Sequence, residues 1–137
     1  MQFPYFKIPK APCLIDKKSF CYRPMLNIEI TPNGKKYIAI DALVDTGADY
    51  NMAPLELANA FGLDLSVYPH LDFFGIDQKT AVKCFFVPFT IVIEEKEIYT
   101  HIAFGGQVPN ILLGQKGFLD KIKEISFRYS KYFEIKF

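Results

Sequence analysis

The feature of this sequence that most constrains its fold is an apolar run, Ala42-Leu43-Val44, that ends directly in Asp45-Thr46-Gly47. Such a run is typical of a strand that enters the core, and Asp45 stands where that strand stops. A carboxylate, a hydroxyl and a glycine at the end of a buried strand indicate an active-site turn. Acid–base chemistry by carboxylates commonly uses a pair of them, yet the chain contains one such turn.

The length predicts a single domain, residues 1–137, and the predicted strands outnumber the predicted helices, which makes the domain mostly β. Half of the residues are hydrophobic, with 14 Phe and no Trp, which is ample for a core. Pro4, Pro9 and Pro12 predict an extended or irregular N-terminal segment over residues 1–22. Alternation, apolar runs and flanking turn residues predict strands at residues 25–29, 36–44, 98–104, 110–114, 125–129 and 133–137.

A long hairpin is predicted over residues 72–93. Its turn is Gly75-Ile76-Asp77-Gln78, and Pro88 marks an edge or a bulge in its second arm. Asn33-Gly34 predicts a tight turn between the first two strands.

Two short helices complete the predicted elements. Residues 54–61, PLELANAF, are the best helical segment, and Gly62 closes it as a C-terminal glycine. Residues 115–122 predict a second short helix with an apolar face. The sequence therefore predicts an all-β fold with one or two short helices.

The charge pattern argues against several partners. The chain has 16 basic and 15 acidic residues and no basic block, so we expect no nucleic acid and no membrane surface as partner. No apolar run is long enough to span a bilayer, and the N-terminus lacks the apolar stretch of a signal peptide. We therefore expect a cytoplasmic protein.

The cysteines and histidines predict no metal site and no cofactor. Cys13, Cys21 and Cys84 are an odd, widely spaced set that forms neither a zinc-ligand pattern nor a disulfide framework. Free thiols in a reducing compartment are the simplest interpretation. His70 and His101 lie far apart with no matched ligands, so we interpret them as structural.

A second motif lies downstream: Asn110-Ile111-Leu112-Leu113-Gly114, followed by Gly117-Phe118. Together with Leu43-Val44-Asp45-Thr46-Gly47-Ala48-Asp49, these residues resemble the retropepsin-like aspartic proteases, single-lobed relatives of pepsin. The resemblance runs from about residue 25 to residue 127, and the hairpin around Gly75 fits the flap of that family. The stretch ILLGQKGFLDKI is closer to cellular, prokaryote-like members than to viral ones.

The resemblance implies an acid-protease fold that works as a homodimer on a polypeptide substrate, and it supplies the missing carboxylate. In a two-fold dimer the same surface patch meets itself, so two copies of Asp45 would face each other across the axis. Two carboxylates in contact cannot both ionise easily, so they share a proton. The ionised one activates a water, and the protonated one hydrogen-bonds the scissile carbonyl. No metal or other cofactor is required.

The resemblance also implies roles for the neighbouring residues. Thr46 would hydrogen-bond across the dimer axis, and Gly47 would let backbone and substrate approach closely. Three groups of residues are implied to contact substrate. They are Ala48 and Asp49 after the turn, Gly75 and Ile76 at the flap tip, and Leu112 and Leu113 beside Asp45. Because Ala48 offers no hydroxyl to the ionised pair, we expect activity at mildly acidic pH, and not only in strong acid.

One position departs from the family. Many relatives carry an arginine after the Leu-Leu-Gly motif, where it can pair with the acid at the Asp49 position, and here that residue is Gln115. This departure favours an alternative function, a dimeric scaffold or peptide-binding module with little or no turnover. A protease that acts only on itself, or on a fused partner, is a third possibility.

The last residues, 127–137, are too apolar to form an exposed strand edge. Either they fold as a hairpin onto the sheet of their own chain, or they contribute a strand to the dimer interface. The sequence does not choose between these two interpretations.

Overall fold

The structure is a computed structural model that describes residues 1–31, 35–74 and 79–137. Twelve strands and one α-helix are present within these ranges. The strands are β1 (Gln2–Pro4), β2 (Phe6–Pro9), β3 (Phe20–Arg23), β4 (Met25–Thr31), β5 (Tyr37–Val44), β6 (Met52–Ala53), β7 (His70–Phe74), β8 (Ala81–Ile93), β9 (Lys96–Phe104), β10 (Ile111–Leu113), β11 (Glu124–Arg128) and β12 (Tyr132–Lys136). The helix is α1 (Leu55–Ala60).

The main sheet has the order β4-β5-β10-β6-β9-β8-β7. Strand β4 also pairs with β8, which closes six of these strands into a barrel-like ring and leaves β7 as an arm beside the first half of β8. Alternate residues of β4, β8 and β9 point into the ring. Their fully buried side chains include Ile28, Ile30, Ile91, Ile93 and Ile102, so period-2 alternation produces the core.

A second sheet, β1-β12-β11, packs on the same core. Phe133 and Ile135 of β12 are fully buried, and Phe3 of β1 stacks on Phe133 with ring centroids 5.5 Å apart. Strand β12 is the central strand, since β1 and β11 of the same chain occupy both of its edges. The prediction of a hairpin folded onto its own chain is thus confirmed, whereas a role for this sheet in a dimer interface stays a prediction.

The N-terminal segment is more regular than the sequence predicts. Residues 2–4 and 6–9 are strands, and β2 pairs with β3 to form a separate two-stranded ribbon. The prolines stand at the strand ends Pro4 and Pro9, where a missing N–H is tolerated. The extended conformation predicted for these residues is therefore confirmed, and the irregular alternative is wrong for them, because pairing with β12 and β3 orders them.

The first predicted helix is confirmed, and the second is wrong. Helix α1 begins after Pro54, whose backbone is extended, and Gly62 follows it with φ +69°, a conformation that glycine adopts without strain. Residues 115–122 contain only a 3₁₀ turn, Leu119–Lys121. Gly117 has φ +106°, which a right-handed α-helix does not allow, so no α-helix forms there.

The long hairpin is confirmed as β7 and β8 paired in register from His70↔Phe85 to Phe74↔Ala81. Pro88 lies where β8 leaves β7 and takes β4 as its partner on that side, so its missing N–H interrupts neither pairing. The predicted turns at Asn33-Gly34 and at Gly75-Ile76-Asp77-Gln78 lie outside the described residues. Among the residues that are described, no helix is long and apolar enough to cross a membrane.

Candidate active site

The Asp45 turn begins at the end of β5, as the sequence predicts. The Asp45 N–H donates to the Leu113 carbonyl at 3.0 Å, which ties the turn to β10, the parallel neighbour of β5. The Ala48 N–H donates back to the Asp45 carbonyl at 3.2 Å and closes the turn. The Gly47 N–H donates to Asp45 Oδ1 at 2.9 Å. The backbone therefore fixes the Asp45 carboxylate, which stays partly exposed at the surface.

Gly47 leaves room beside that carboxylate. A Cβ added at residue 47 would lie 3.3 Å from Asp45 Oδ1, tighter than an ordinary contact. Thr46 is exposed, as are Gly47 and Asp49, whereas Ala48 is partly buried. The turn thus presents the carboxylate together with a free hydroxyl on the protein surface.

The segment after the turn is held against the residues that follow β10. The Gln115 N–H donates to the Ala48 carbonyl and the Lys116 N–H to the Asp49 carbonyl, each at 2.8 Å. The Asn51 N–H donates to the Lys116 carbonyl at 3.2 Å. These bonds join the two motifs that the sequence singled out, the Asp-Thr-Gly turn and the Leu-Leu-Gly strand.

Gly114 is required by this close approach. A Cβ at residue 114 would lie 2.4 Å from the Tyr50 carbonyl oxygen and 2.7 Å from that of Ala48. Both are backbone atoms that the sheet holds in place, so a side chain at this position forces the two segments apart. This close approach therefore explains why the downstream motif ends in glycine.

Asn51 is the site residue that sequence reasoning missed. Its side chain is fully buried, and all of its polar groups have partners. Oδ1 accepts the Gly114 N–H at 3.0 Å, and Nδ2 donates to Thr100 Oγ1 at 3.3 Å and to the His101 carbonyl at 3.2 Å. One amide thus connects β10 and β9 behind the Asp45 turn. The available signal was a lone amide six residues after Asp45, in a stretch that is otherwise apolar.

Gln115 takes a position that the family resemblance did not predict. Its side-chain Nε2 donates to the Thr46 carbonyl at 2.6 Å, so it supports the turn itself. Lys116 lies 4.0 Å from Asp120 in an exposed ion pair.

The two leucines of the downstream motif differ in exposure. Leu113 is fully buried in the core, while Leu112 is partly exposed. Leu112 is thus the one of the pair with surface for a substrate to contact. The predicted flap-tip residues Gly75 and Ile76 lie outside the described residues.

The described part of the flap hairpin packs against the site. Tyr50 stacks on Phe73 of β7 with ring centroids 5.4 Å apart, and its edge contacts Phe86 of β8 at 5.1 Å. Tyr50 lies five residues after Asp45, so this aromatic cluster links the hairpin to the segment that follows the turn.

Residues 45–49 line none of the three grooves found among the described residues. A groove of about 680 Å³ is lined by Tyr50, Phe86, His101, Lys116 and neighbouring residues. A second groove of about 670 Å³ lies between β4, β8 and β9. The partly buried Asp45 side chain therefore lies outside these grooves.

The remaining titratable groups offer no metal site. Within residues 1–31, 35–74 and 79–137, no three His, Cys, Asp or Glu side chains are grouped to hold a metal ion. All three cysteines are free, and Cys84 is buried whereas Cys13 and Cys21 are partly exposed. Burial raises the pKa of the Cys84 thiol.

Two solved structures are similar to this chain. A retropepsin-like aspartic protease from Rickettsia conorii superposes with a TM-score of 0.60 at 20% identity, covering 96% of this chain and 99% of that one. The EIAV protease, in complex with the inhibitor HBY-793, superposes with a TM-score of 0.50 at 24% identity, covering 74% and 86%. No protein-family model and no curated protein sequence matches the chain. The chain therefore has the retropepsin-like fold that its two motifs predicted.

Proposed function

We propose that the protein is an aspartic endopeptidase that works as a homodimer, with one Asp45 from each subunit. The observation that carries this proposal is the fixed Asp45 carboxylate, held by the Gly47 N–H at 2.9 Å on an exposed turn of a retropepsin-like fold. The hairpin packed beside the turn and the Leu112 surface next to it are consistent with a peptide-binding cleft.

A second copy of the chain supplies what one copy lacks. The turn in one protomer lies outside both large grooves, so the cleft requires a second surface opposite Asp45. A two-fold axis beside the exposed Thr46 would place two identical turns face to face. Thr46 would then hydrogen-bond across the axis, and Gly47 would leave space for the approach.

The chemistry follows from two carboxylates at contact distance. Their repulsion keeps one protonated at working pH. The ionised Asp45 accepts a proton from a water molecule as the oxygen of that water attacks the scissile carbonyl carbon. The protonated Asp45 of the other subunit donates to the carbonyl oxygen, where negative charge develops. Collapse of the tetrahedral species breaks the C–N bond, and the amine leaves with a proton from the pair.

The surrounding residues bind the substrate in this proposal. Asp49 is exposed on the same turn and would contact the substrate main chain, beside Ala48. Leu112 would contact apolar substrate side chains. Gly75 and Ile76, at the tip of the hairpin, would close over the bound peptide.

A mixing experiment tests the shared site directly. The wild type is incubated with a diverse peptide mixture between about pH 4 and pH 7.5, and Asp45→Asn is added at increasing amounts while the wild-type concentration stays constant. If each subunit contributes one carboxylate, an equal amount of Asp45→Asn leaves about half the activity and an excess abolishes it, because mixed dimers are inactive. Asp41 is an exposed acid on the same strand, so Asp41→Asn is the matched control. Its addition should not lower the activity of the wild type.

The other outcomes identify the alternatives. If Asp45→Asn is inactive alone but its addition does not lower wild-type activity, one chain carries the whole site and the shared dyad is wrong. If a well-folded wild-type dimer cleaves nothing, the binding module is favoured. Mass spectrometry of the protein itself then detects the third possibility, cleavage of its own chain.

A further inference from the structure

The two-stranded ribbon at the N-terminus ends in an unusual apolar tip. The ribbon and its connecting loop, residues 6–23, are called the basic hairpin below. Leu14 and Ile15 at its tip are 88% and 92% exposed, more than any other large hydrophobic residue described. The two adjacent side chains form one exposed apolar patch, and exposed apolar patches can mark sites that bind a partner or a membrane.

The tip is an ordered turn. The Cys13 N–H donates to the Lys18 carbonyl and the Lys17 N–H to the Cys13 carbonyl, each at 2.9 Å. Asp16 Oδ1 accepts the Lys18 N–H at 3.0 Å. These bonds hold Leu14 and Ile15 outward, so the apolar pair is presented by a defined backbone.

The charge of the basic hairpin differs from that of the rest of the chain. It contains five basic residues and one acid, Asp16, for a net charge of +4. The remaining 11 basic and 14 acidic residues give −3. This charge asymmetry is not evident from the sequence, because the lysines are separated along the chain and form no basic block.

The hairpin carries lysines beside its tip and along its first arm. Lys7 Nζ lies 4.2 Å and Lys18 Nζ 5.7 Å from the centre of the Phe20 ring, and Lys17 Nζ donates to the Leu14 carbonyl at 3.3 Å. Lys10 is exposed at the end of the same arm as Lys7. The two ion pairs found among the described residues join other side chains. Lys17 and Lys18 thus follow the apolar tip directly, and Lys7 and Lys10 lie on the arm that leads to it.

We propose that the basic hairpin docks on an anionic lipid bilayer, with Leu14 and Ile15 inserted at the boundary of the acyl chains. An exposed apolar pair at the end of a hairpin with a net charge of +4 matches such a surface, since lysine side chains can reach the headgroups while the apolar side chains enter. This docking is independent of the proposed protease activity, and it contradicts the sequence-based expectation of no membrane partner.

A second copy of the chain fits the tip less well. The groove between β4, β8 and β9 is acidic, with Glu29, Glu94, Glu95 and Glu97 in its lining. It complements the lysines, but it offers little apolar surface besides Val92 and Tyr99 to bury an aliphatic pair. A bilayer satisfies both the charges and the apolar tip.

The absence of tryptophan from the chain allows a single-site test. Ile15→Trp and the control Val67→Trp, at a position 71% exposed elsewhere, are each made in an Asp45→Asn background to prevent self-cleavage. Phosphatidylcholine vesicles with and without phosphatidylserine are added. We expect the tryptophan fluorescence of the Ile15→Trp protein to shift to the blue with the anionic vesicles, and that of the control not to shift. No shift in the Ile15→Trp protein, or equal shifts in both proteins, would overturn the proposal.

Co-sedimentation with the same vesicles separates the contribution of the apolar pair to binding from that of the lysines. We expect Leu14→Ser/Ile15→Ser to bind at least about tenfold more weakly, and Lys10→Gln/Lys18→Gln to lose about fivefold per cation removed. The control Lys123→Gln/Lys131→Gln removes the same charge elsewhere and should bind like the parent. Raising the salt from about 0.1 M to about 0.5 M should release the protein. Equal binding to uncharged vesicles, or pelleting without vesicles through self-association, would contradict bilayer docking.

Discussion

The side-chain amide of Gln115 donates a hydrogen bond of 2.6 Å to the backbone carbonyl of Thr46. The two residues are 69 positions apart and belong to the two motifs that suggested the fold. An arginine at this position can pair with the neighbouring acid in many retropepsin-like proteins, whereas this glutamine supports the turn directly. Gln115 thus has a structural role next to Asp45, and the substitution alone does not argue for an inactive protein.

We expect Gln115→Ala to lower kcat/KM about tenfold, since loss of the bond lets the Asp45 turn move. Gln115→Glu should be no better, because an ionised carboxylate has no hydrogen to donate to a carbonyl. Kinetics on the best peptide found in the cleavage assay measure the effect. The exposed Gln107→Ala is the control, and wild-type kcat/KM in Gln115→Ala would contradict this role.

The buried amide of Asn51 gives a stability prediction. Asn51→Ala removes three side-chain hydrogen bonds and leaves the Gly114 N–H buried without that partner. We expect it to lower the free energy of unfolding by about 3 kcal/mol. Urea denaturation measures the change, and the exposed Asn59→Ala on α1 is the control, with an expected effect near zero. A loss below about 1 kcal/mol would mean that the network tolerates an empty position.

Two glycines separate steric from conformational requirements. Gly62 has φ +69° but nothing within 4 Å of an added Cβ, so Gly62→Ala should cost about 1 kcal/mol. Gly114→Ala places a methyl 2.4 Å from a backbone oxygen and should cost more than about 3 kcal/mol or prevent folding. Thermal unfolding of both variants compares them. Similar losses would show that the segments around Gly114 move apart more easily than the sheet suggests.

The residue after the Asp-Thr-Gly turn should set the pH range of activity. Ala48 has no hydrogen-bond donor in its side chain, whereas Ala48→Ser offers a hydroxyl to the ionised pair. A donor favours the ionised form, so we expect the acidic limb of the pH–rate profile to move to lower pH in Ala48→Ser. The control Ala60→Ser, at an exposed position on α1, should leave the profile unchanged. A wild-type optimum below about pH 3 would contradict the prediction.

Cys84 gives a pH prediction for stability. Burial raises the pKa of its thiol in the folded state, so the folded protein keeps this proton at a pH where the unfolded chain loses it. The stability that this group contributes is complete below the unfolded value and falls as pH rises through the folded one, above about pH 8.5. Denaturation between about pH 7 and pH 10 measures the loss, which Cys84→Ala should reduce.

Alkylation of the native protein tests the burial of Cys84 independently. We expect Cys13 and Cys21, which are partly exposed, to react at least about a hundredfold faster than Cys84, because the thiolate is the reactive form and access limits it. Rapid labelling of all three thiols in the folded state would contradict the burial of Cys84.

The sequence alone determined the elements whose signals are local. The apolar run into Asp45 fixed the end of β5, the segment between Pro54 and Gly62 fixed α1, and alternation predicted the long strands of the barrel. Two short motifs were enough to predict the retropepsin-like fold, because they mark the two strands that pair beside the Asp45 turn.

Only the tertiary structure decided the features that depend on partners far along the chain. Residues 115–122 do not form the predicted helix, since Gly117 takes φ +106° where the segment is hydrogen-bonded to residues 48 and 49. Asn51 became a buried connector because Gly114, Thr100 and His101 surround it, and none of these is near it in sequence. The basic residues of the basic hairpin come together in one ribbon only because β2 pairs with β3. Each of these features follows from hydrogen bonds and contacts between distant segments, which local sequence patterns do not encode.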